Sequence, residues 1–210
     1  MGQAVVSQLL QDGFQVTGTL VPHDPYQPDP AQTAFETAIV DLTDEAASAA
    51  FVQQVIAAKG SVDAAVLTVG GFAMGDIAST TAADLSKQYK LNVETAYNIA
   101  RPVFVQMMKQ GSGRIFLVGS RPGSDMHQSK GMVAYGMAKS LIFRLAELMN
   151  DEARGKNVVV SVIVPPTIDT PQNRKAMPDA DFSAWVTPAS IASVIGYYAS
   201  TAAADLREPV

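Results

Sequence analysis

The chain has 210 residues, of which 48% are hydrophobic and 17% charged, and these proportions favour a single folded domain over residues 1–210. Twenty acidic and 15 basic residues give a net charge of −5, and the basic residues do not cluster, so we expect no nucleic-acid partner. The absence of cysteine excludes disulfides, thiol catalysis and Cys-ligated zinc, and two isolated histidines predict no metal site. No apolar run is long enough for a bilayer and no signal-like segment opens the chain, so we predict a cytoplasmic protein without a membrane segment.

Helical and strand-like segments alternate along the chain. The spacing of apolar residues predicts helices over 1–14, 43–60, 83–111, 133–155 and 187–203, and strands over 14–21, 38–42, 62–71, 113–120 and 157–166. Gly13 and Gly60 are expected to end the first two helices, and Thr187 followed by Pro188 to begin the last. Pro102 is expected to kink the third helix, and the segment through Trp185 to be irregular.

The predicted strands are continuous apolar runs with no polar face. Such runs are typical of a parallel sheet that is covered by helices on both sides, so we predict an α/β fold with a three-layer, doubly wound parallel sheet. In these sheets ligands bind beyond the carboxyl ends of the strands. The functional site is therefore expected after the runs TVGG (68–71), LVGS (117–120) and VIVPP (162–166).

The run VAYGMAKSL places Tyr135 and Lys139 four residues apart on a predicted helix. Their side chains would leave the same face, one turn apart. A phenol with a pKa near 10 is a poor proton donor and acceptor at pH 7, and a nearby ammonium would lower that pKa. The spacing alone is a weak signal, because two surface residues could share it by chance.

The context of this pair resembles the short-chain dehydrogenase/reductase family, which has a Tyr-x-x-x-Lys pair here, a Ser after the preceding strand and an Asn in the helix before that. The last two correspond to Ser120 and to Asn92 in KLNVETAYN. The resemblance implies that Tyr135 protonates a small-molecule substrate as hydride arrives from NADH or NADPH. It also implies that Lys139 holds the nicotinamide ribose, Ser120 positions the substrate and Asn92 completes a proton relay.

The same resemblance implies a set of cofactor-binding residues. They are the fingerprint glycine Gly2, Asp41 and Leu42 beside the adenine, Gly70 and Gly71 where the backbone approaches the cofactor, and Thr167 and Ile168 near the nicotinamide amide. Leu20 stands where the family places an acidic residue for NAD or a basic one for NADP, so the choice between the two cofactors stays open.

Three segments resemble one branch of the family, the dihydropteridine reductases: GGFAMGD (70–76), YGMAK (135–139) and the long run PPTIDTPQNRKAMPDADFSAW (165–185). This likeness implies a quinonoid dihydropterin or a related flat heterocycle as the substrate. Phe72 and Trp185 could bracket such a ring by stacking. Asn173 and Arg174 could reach its polar edges or fix the loop.

The family begins with a strand and a Gly-rich turn, whereas this chain starts at what resembles the following helix, and family members also continue into a final strand. We therefore expect a Rossmann-like sheet that lacks its first and last strands and a chain truncated at both ends, with unpaired backbone groups where the first strand would lie. The two long helices, around 82–110 and 134–153, imply a homodimer, because in the family they form a four-helix bundle with a second subunit.

Two other functions remain open. Ser120 and Asn92 favour a general carbonyl or alcohol oxidoreductase, and the missing fingerprint favours a truncated, non-catalytic binding or dimerisation protein. Several site residues also have purely structural explanations. Ser120 and the glycines could serve turns, Asp41 could cap a helix, and Phe72 and Trp185 could anchor loops.

Overall fold

The computed structural model describes residues 1–29 and 31–206. Parallel strands alternate with helices through this part of the chain, which confirms the predicted α/β class. The strands are β1 (Val16–Leu20), β2 (Phe35–Ile39), β3 (Ala64–Leu67), β4 (Ser112–Val118) and β5 (Asn157–Ile163). The helices are α1 (Gly2–Gln11), α2 (Glu45–Lys59), α3 (Ala82–Tyr89), α4 (Thr95–Gln110), α5 (Arg121–Ser124), α6 (Val133–Glu152), α7 (Pro171–Ala176) and α8 (Pro188–Ala199).

The described strands form two separate parallel sheets. One has two strands in the order β1-β2, with Val16 opposite Phe35 and Leu20 opposite Ile39. The other has three strands in the order β3-β4-β5, with β4 in the middle. The sequence predicted one sheet with a missing strand, and the gap in the structure lies between β1 and β3.

Helices cover both faces of the three-stranded sheet. Successive side chains of a strand point to opposite faces, so Ile115 and Leu117 face one layer and Phe116 faces the other. The first layer is packed by α2, α4 and α6 and contains the larger apolar cluster. The second is packed by α1 and α8, where Phe116 is fully buried among their apolar residues. This sandwich makes β4 the most deeply buried strand and a firm base for the loops at its carboxyl end.

The local signals fix most of the helix ends. Gly13 and Gly60, with φ of +87° and +82°, follow α1 and α2 in backbone conformations that favour glycine. Asp44 caps α2 by accepting a hydrogen bond from the Ala47 N–H (3.0 Å), and the Thr187 hydroxyl caps α8. Pro188 occupies the first turn of α8, as predicted.

Two segments differ from the sequence prediction. The single helix predicted over 83–111 is three consecutive pieces, because a π-helical turn at Lys90–Glu94 separates α3 from α4. The segment predicted as irregular up to Trp185 contains α7, which begins with a Thr170 cap and Pro171, and a 3₁₀ turn at Phe182–Ala184. None of the helices in the described ranges is long and apolar enough to cross a membrane.

Candidate active site

The predicted catalytic side chains lie on elements that meet at the carboxyl end of β4. Ser120 follows β4 directly, and Tyr135 and Lys139 lie in the first two turns of α6. Asn92 lies in the π-helical turn and contacts the Gly70–Gly71 loop that follows β3. The structure thus brings together these four residues, as the parallel-sheet geometry requires.

Tyr135 is half-buried beside an aromatic wall. The Phe72 ring packs edge-on against the Tyr135 ring, with centroids 5.0 Å apart, and Phe72 itself is 60% exposed. Burial raises the pKa of the Tyr135 phenol above its ordinary value, and a contact with the Ser120 hydroxyl opposes that rise. The phenol is therefore neutral at pH 7 and carries the proton that a reductase has to donate.

Lys139 is 5% exposed, and its ammonium points along the sheet edge. Its Nζ donates a hydrogen bond to the Val118 carbonyl oxygen (2.7 Å) and lies 5.9 Å from the centroid of the Tyr135 ring. Burial lowers the pKa of Lys139 to about 8, because the low-dielectric surroundings disfavour the charged form. The amine is still mostly protonated at pH 7.

The predicted effect of Lys139 on the pKa of Tyr135 was wrong. The sequence argument expected the ammonium to lower the pKa of the phenol, whereas desolvation dominates and the pKa of Tyr135 is raised. The cause is burial of the phenol, and the Lys139 ammonium makes its hydrogen bond to the Val118 carbonyl. The pair shares one helix face, as predicted, with the ammonium anchored to the strand.

Ser120 places a buried hydroxyl at the same point. Its backbone carbonyl accepts a hydrogen bond from the Gly123 N–H (3.0 Å), so the residue does serve the turn into α5. Its side chain is different, because the Oγ atom is buried and makes no hydrogen bond of standard geometry with the described residues. A buried hydroxyl without a partner costs about 1–3 kcal/mol, and a bound carbonyl oxygen would supply that partner.

Asn92 is 1% exposed and ties the π-helical turn to the loop after β3. Its Oδ1 accepts the Gly71 N–H (3.1 Å), and its Nδ2 donates to the Gly71 carbonyl (3.1 Å) and to Gln88. These bonds define Asn92 as a brace for the backbone at 70–71. Its part in a proton relay stays a prediction.

Gly70 lies where this brace meets Lys139. A Cβ atom added at Gly70 would come within 2.7 Å of the Asn92 Oδ1 and 3.4 Å of the Lys139 Nζ. One at Gly71 would overlap the Leu91 side chain. Close packing within the chain thus disfavours a side chain at Gly70, where the Asn92 amide is held by hydrogen bonds, and at Gly71 unless the Leu91 side chain shifts.

Two predicted cofactor residues lie at the carboxyl end of the two-stranded sheet. The Asp41 carboxylate accepts hydrogen bonds from the Thr43 N–H (2.9 Å) and hydroxyl (2.7 Å), which lower the pKa of Asp41. Leu42 packs against the apolar cluster, and its carbonyl accepts from the Asn98 Nδ2 (2.9 Å). Asp41 thus shapes the turn before α2, while Asp44 provides the helix cap.

The first helix and the loop after β5 supply the remaining predicted cofactor residues. Gly2 begins α1 beside β3, because a Cβ atom there would lie 3.4 Å from the Thr68 hydroxyl. In the loop after β5, the Thr167 carbonyl accepts the Val186 N–H (3.0 Å), and the Ile168 carbonyl accepts the Asn173 Nδ2 (2.8 Å). The latter contact shows what Asn173 does: it holds the start of this loop.

Trp185 and Arg174 belong to a compact cluster within the 166–185 segment. Arg174 makes a two-pronged ion pair with Asp169 (2.6 and 2.8 Å) and lies 4.6 Å from the centroid of the Phe182 ring. The Phe182 and Trp185 rings pack with centroids 4.7 Å apart. Of the two roles considered for Arg174, the structure shows the one that fixes the loop. A bracketing role for Trp185 stays a prediction.

The sequence analysis missed two groups that hold the site residues in place. Gln88, which is 3% exposed, holds Asn92 through both its carbonyl and its side-chain oxygen, and the Val118 carbonyl receives the Lys139 ammonium. Gln88 lies four residues before Asn92, which is helical spacing, but an exposed pair has the same spacing. The Val118 contact could not be predicted, because every residue has a main-chain carbonyl and the sequence does not mark which one binds a lysine.

Comparisons with known proteins agree with this geometry. The family model for short chain dehydrogenases matches residues 1–181. An acetoacetyl-CoA reductase from Acinetobacter sp. (strain RA3849) is 26% identical over 178 residues, which cover 81% of this chain and 71% of that protein.

Solved structures show the same fold. A protein from Burkholderia xenovorans assigned to the short-chain dehydrogenase/reductases superposes with a TM-score of 0.83 at 23% identity, covering 100% of this chain and 87% of the other. The NADP-bound protein ElxO gives a TM-score of 0.89 at 18% identity, covering 100% and 91%. The match over most of the sequence and the shared fold lead to one conclusion: the chain belongs to the short-chain dehydrogenase family and is an NAD(P)-dependent oxidoreductase.

Proposed function

We propose that the chain reduces a flat, polar heterocycle, of which quinonoid dihydropterin is the leading candidate, with Tyr135 as the proton donor. The observation that carries the proposal is the cluster at the end of β4, where a neutral phenol, a buried ammonium and a buried hydroxyl in contact with the phenol converge. These are the groups needed to protonate and position a carbonyl or imine acceptor.

The residues of the site fit a bound nicotinamide cofactor. Apart from its contact with the Tyr135 phenol, the buried Ser120 hydroxyl makes no hydrogen bond of standard geometry with the described residues, so it is available to a bound ligand. NADH or NADPH would supply the hydride. Within the chain, Lys139, Gly70 and Gly71 would hold the nicotinamide end together with Thr167 and Ile168, and Gly2, Asp41 and Leu42 would hold the remainder.

Each catalytic side chain then has a distinct part. Tyr135 releases its phenolic proton to the substrate as negative charge develops there. Lys139, whose ammonium is anchored to the Val118 carbonyl, would bind the nicotinamide ribose. Ser120 lies beside the phenol and helps to position the substrate, a part that matters more for a ketone than for a dihydropterin.

The substrate class rests on two aromatic features. Phe72 is 60% exposed and stands edge-on to Tyr135, so its free face is available to a planar ring next to the phenolic hydroxyl. The 166–185 segment, whose sequence resembles the dihydropteridine reductases, contributes the Phe182–Trp185 pair at the loop after β5. A flat heterocycle suits such surfaces better than an aliphatic ketone does.

The test is turnover of quinonoid dihydropterin with NADH and with NADPH. We expect Tyr135→Phe to lower kcat by about 10²–10⁴-fold, because the proton donor is removed and the ring is kept. Tyr197→Phe, a change at a 52% exposed tyrosine on α8, should have no effect. Unchanged turnover in Tyr135→Phe would rule out the proposed proton donor.

A general carbonyl or alcohol oxidoreductase is the second candidate, and Ser120 favours it. A hydroxyl in this position is well placed to bind a carbonyl oxygen. We expect Ser120→Ala to reduce ketone turnover by roughly 10²-fold, whereas dihydropterin reduction should change far less if the first proposal holds. Equal losses on both substrates would favour the general oxidoreductase.

We also propose that the chain forms a homodimer through α4 and α6. Both helices expose large apolar side chains, namely Tyr97 and Val105 on α4 and Met137, Leu141 and Leu148 on α6. The three on α6 follow helical spacing and form one stripe. Light scattering should give twice the chain mass, and a monomer at micromolar concentration would refute the proposal.

A further inference from the structure

A cavity of about 390 Å³ lies beside the catalytic site, between the loop after β3 and helix α3. The loop contributes residues 72–75, and α3 contributes Asp84, Lys87 and Gln88. Ala134 at the start of α6 lines the cavity as well. Small-molecule sites have volumes of about 300–1,000 Å³, so this cavity is large enough for a ligand. We call it the α3 pocket.

The α3 pocket is separate from the catalytic side chains. Its described lining residues do not include Ser120, Tyr135 or Lys139. It shares one wall with the catalytic site, because Phe72, which packs edge-on against Tyr135, also lines the pocket. A ligand in the pocket would therefore lie next to the proton donor without meeting it, so it is not the substrate of the reduction.

Part of the α3 pocket is apolar. Phe72 and Met74 line it from the loop and are 60% and 68% exposed, and Leu91 lines it from the π-helical turn. Apolar side chains that stay exposed around a cavity favour a ligand with an apolar body.

A buried hydroxyl without a partner lies in the wall of the pocket. The Thr80 Oγ1 atom is buried and has no hydrogen-bond partner among the described residues. The Thr80 N–H is held in a turn, where it donates to the Asp76 carbonyl (3.0 Å). Buried polar groups usually have a partner, so this hydroxyl indicates a ligand that carries a hydrogen-bond acceptor.

Two further donors come from α3. The side-chain oxygen of Gln88 accepts a hydrogen bond from the Asn92 Nδ2 (3.0 Å), which fixes the orientation of the Gln88 amide. Its Nε2 makes no hydrogen bond within the described ranges. Lys87 is exposed, and its ammonium has neither an ion pair nor a hydrogen bond with any described residue.

The carboxylate of Asp84 does not compete for these donors. It accepts the Thr81 N–H (2.9 Å) and the Thr81 hydroxyl (2.6 Å), and it thereby caps the start of α3. The pocket thus presents a hydroxyl, an amide and an ammonium that can donate hydrogen bonds, beside an apolar wall. Donors of this kind bind a carboxylate most strongly, because the acceptor is charged.

We propose that the α3 pocket binds a small amphipathic carboxylate. Thr80, Gln88 and Lys87 donate hydrogen bonds to its carboxylate, and its apolar body packs against Phe72 and Leu91. This binding goes beyond the proposed reductase activity.

The proposed ligand would contact two residues that lead to the catalytic site. Gln88 holds Asn92, which in turn braces the Gly71 backbone, and Phe72 packs against the Tyr135 ring. The site therefore suits an effector that acts through the loop after β3.

Isothermal titration with 3-phenylpropanoate tests the proposal. We expect saturable binding at one molecule per chain. The uncharged analogue 3-phenylpropanamide has the same apolar body and should bind at least threefold more weakly, because it lacks the charge that pairs with Lys87. The measurement needs neither cofactor nor reducible substrate, so its result is independent of the reductase test.

Two lysine variants provide a matched control. Lys87 lines the pocket, whereas Lys90 is exposed three residues further along and does not line it. Lys87→Met should weaken binding of 3-phenylpropanoate at least threefold, and Lys90→Met should leave it unchanged.

Thr80→Val separates binding from stability. The change keeps the shape of the side chain and removes the hydroxyl, so binding should weaken by about tenfold. The urea midpoint of the free protein should stay the same or rise, because the hydroxyl has no partner to lose.

Four results would overturn the proposal. The absence of saturable binding is the first. Equal binding by Lys87→Met, or equal binding of the amide, would show that the ligand lies elsewhere, for example against the other face of Phe72. A lower urea midpoint for Thr80→Val would show that the hydroxyl is already bonded within the protein.

Discussion

The two sheets of this molecule differ in how completely they are packed. In the three-stranded sheet, Ile115, Phe116 and Leu117 are fully buried, and the catalytic cluster lies directly beyond them. In the two-stranded sheet every residue of β1 is only half-buried, and Ile39 at the end of β2 is 70% exposed. The comparison teaches that the catalytic geometry is built on the more deeply buried half of the fold, whereas the half predicted to hold the adenine contains the less buried sheet.

The halves are joined by an apolar layer and by a few polar contacts. Leu42, which follows β2, and Val52 on α2 pack into the larger apolar cluster with α4. Asn98 on α4 reaches the Leu42 carbonyl, and Arg101 on the same helix pairs with Glu45 (3.0 Å) in a solvent-exposed ion pair. Exposed ion pairs contribute only about 0–1 kcal/mol. Local opening is expected first in the two-stranded sheet, because its strands are less buried than β4 and β5.

The largest expected effect is a difference in stability between the two sheets. Phe116→Ala should lower the free energy of unfolding by about 3–5 kcal/mol, because it removes a fully buried ring from a closed layer. Val16→Ala removes two methyl groups from a half-buried side chain on β1 and should cost about 1 kcal/mol. Urea denaturation of the two variants measures both values.

Equal costs for these two substitutions would contradict the comparison, because they would show that β1 is packed as tightly as β4. Amide hydrogen exchange sharpens the same point. The Thr17 and Thr19 amides should exchange faster than those of Ile115 and Leu117, since only the latter lie in a sheet with neighbours on both sides.

The next effect concerns Lys139 and the pH dependence of stability. Burial holds the pKa of Lys139 at about 8 in the folded protein, whereas an unfolded lysine titrates near 10.4, so the unfolded chain binds more protons between these values. Stability contributed by this residue therefore rises as the pH increases from about 8 to 10, by up to about 3 kcal/mol. Lys139→Met should abolish the rise.

Denaturation of both proteins between pH 7.5 and pH 9.5 isolates this contribution, because the other titrating groups cancel in the difference. The window stays below the region where Tyr135, with its raised pKa, loses its proton. A wild-type profile parallel to that of Lys139→Met would show that the ammonium is hydrated, and that the catalytic half is more open than its packing indicates.

The sequence predicted the fold class and the grouping of the site because both follow from short-range patterns. Continuous apolar runs predicted the parallel strands, and the ends of those runs predicted that Ser120 and Gly70 lie at the same edge of the sheet. The direction of the Tyr135 pKa shift was missed because it depends on burial and on the Val118 carbonyl, which come from elements far apart in the chain. The π-helical turn was missed because its residues have the apolar spacing of an ordinary helix.

The smallest expected effect is a difference in stability between alanine substitutions at Gly70 and Gly2, two glycines that the sequence analysis placed together in the cofactor site. At Gly70 an added methyl group would collide with the Asn92 Oδ1. The Asn92 amide is held in place by its hydrogen bonds to Gly71 and Gln88, so Gly70→Ala should lower the free energy of unfolding by about 1–3 kcal/mol. At Gly2 the nearest atom is at an ordinary contact distance, 3.4 Å, so Gly2→Ala should change stability by less than about 0.5 kcal/mol. Thermal and urea unfolding distinguish the two. A neutral Gly70→Ala would mean that the Asn92 brace yields easily, and the loop after β3 would then belong with the loosely packed half of the molecule.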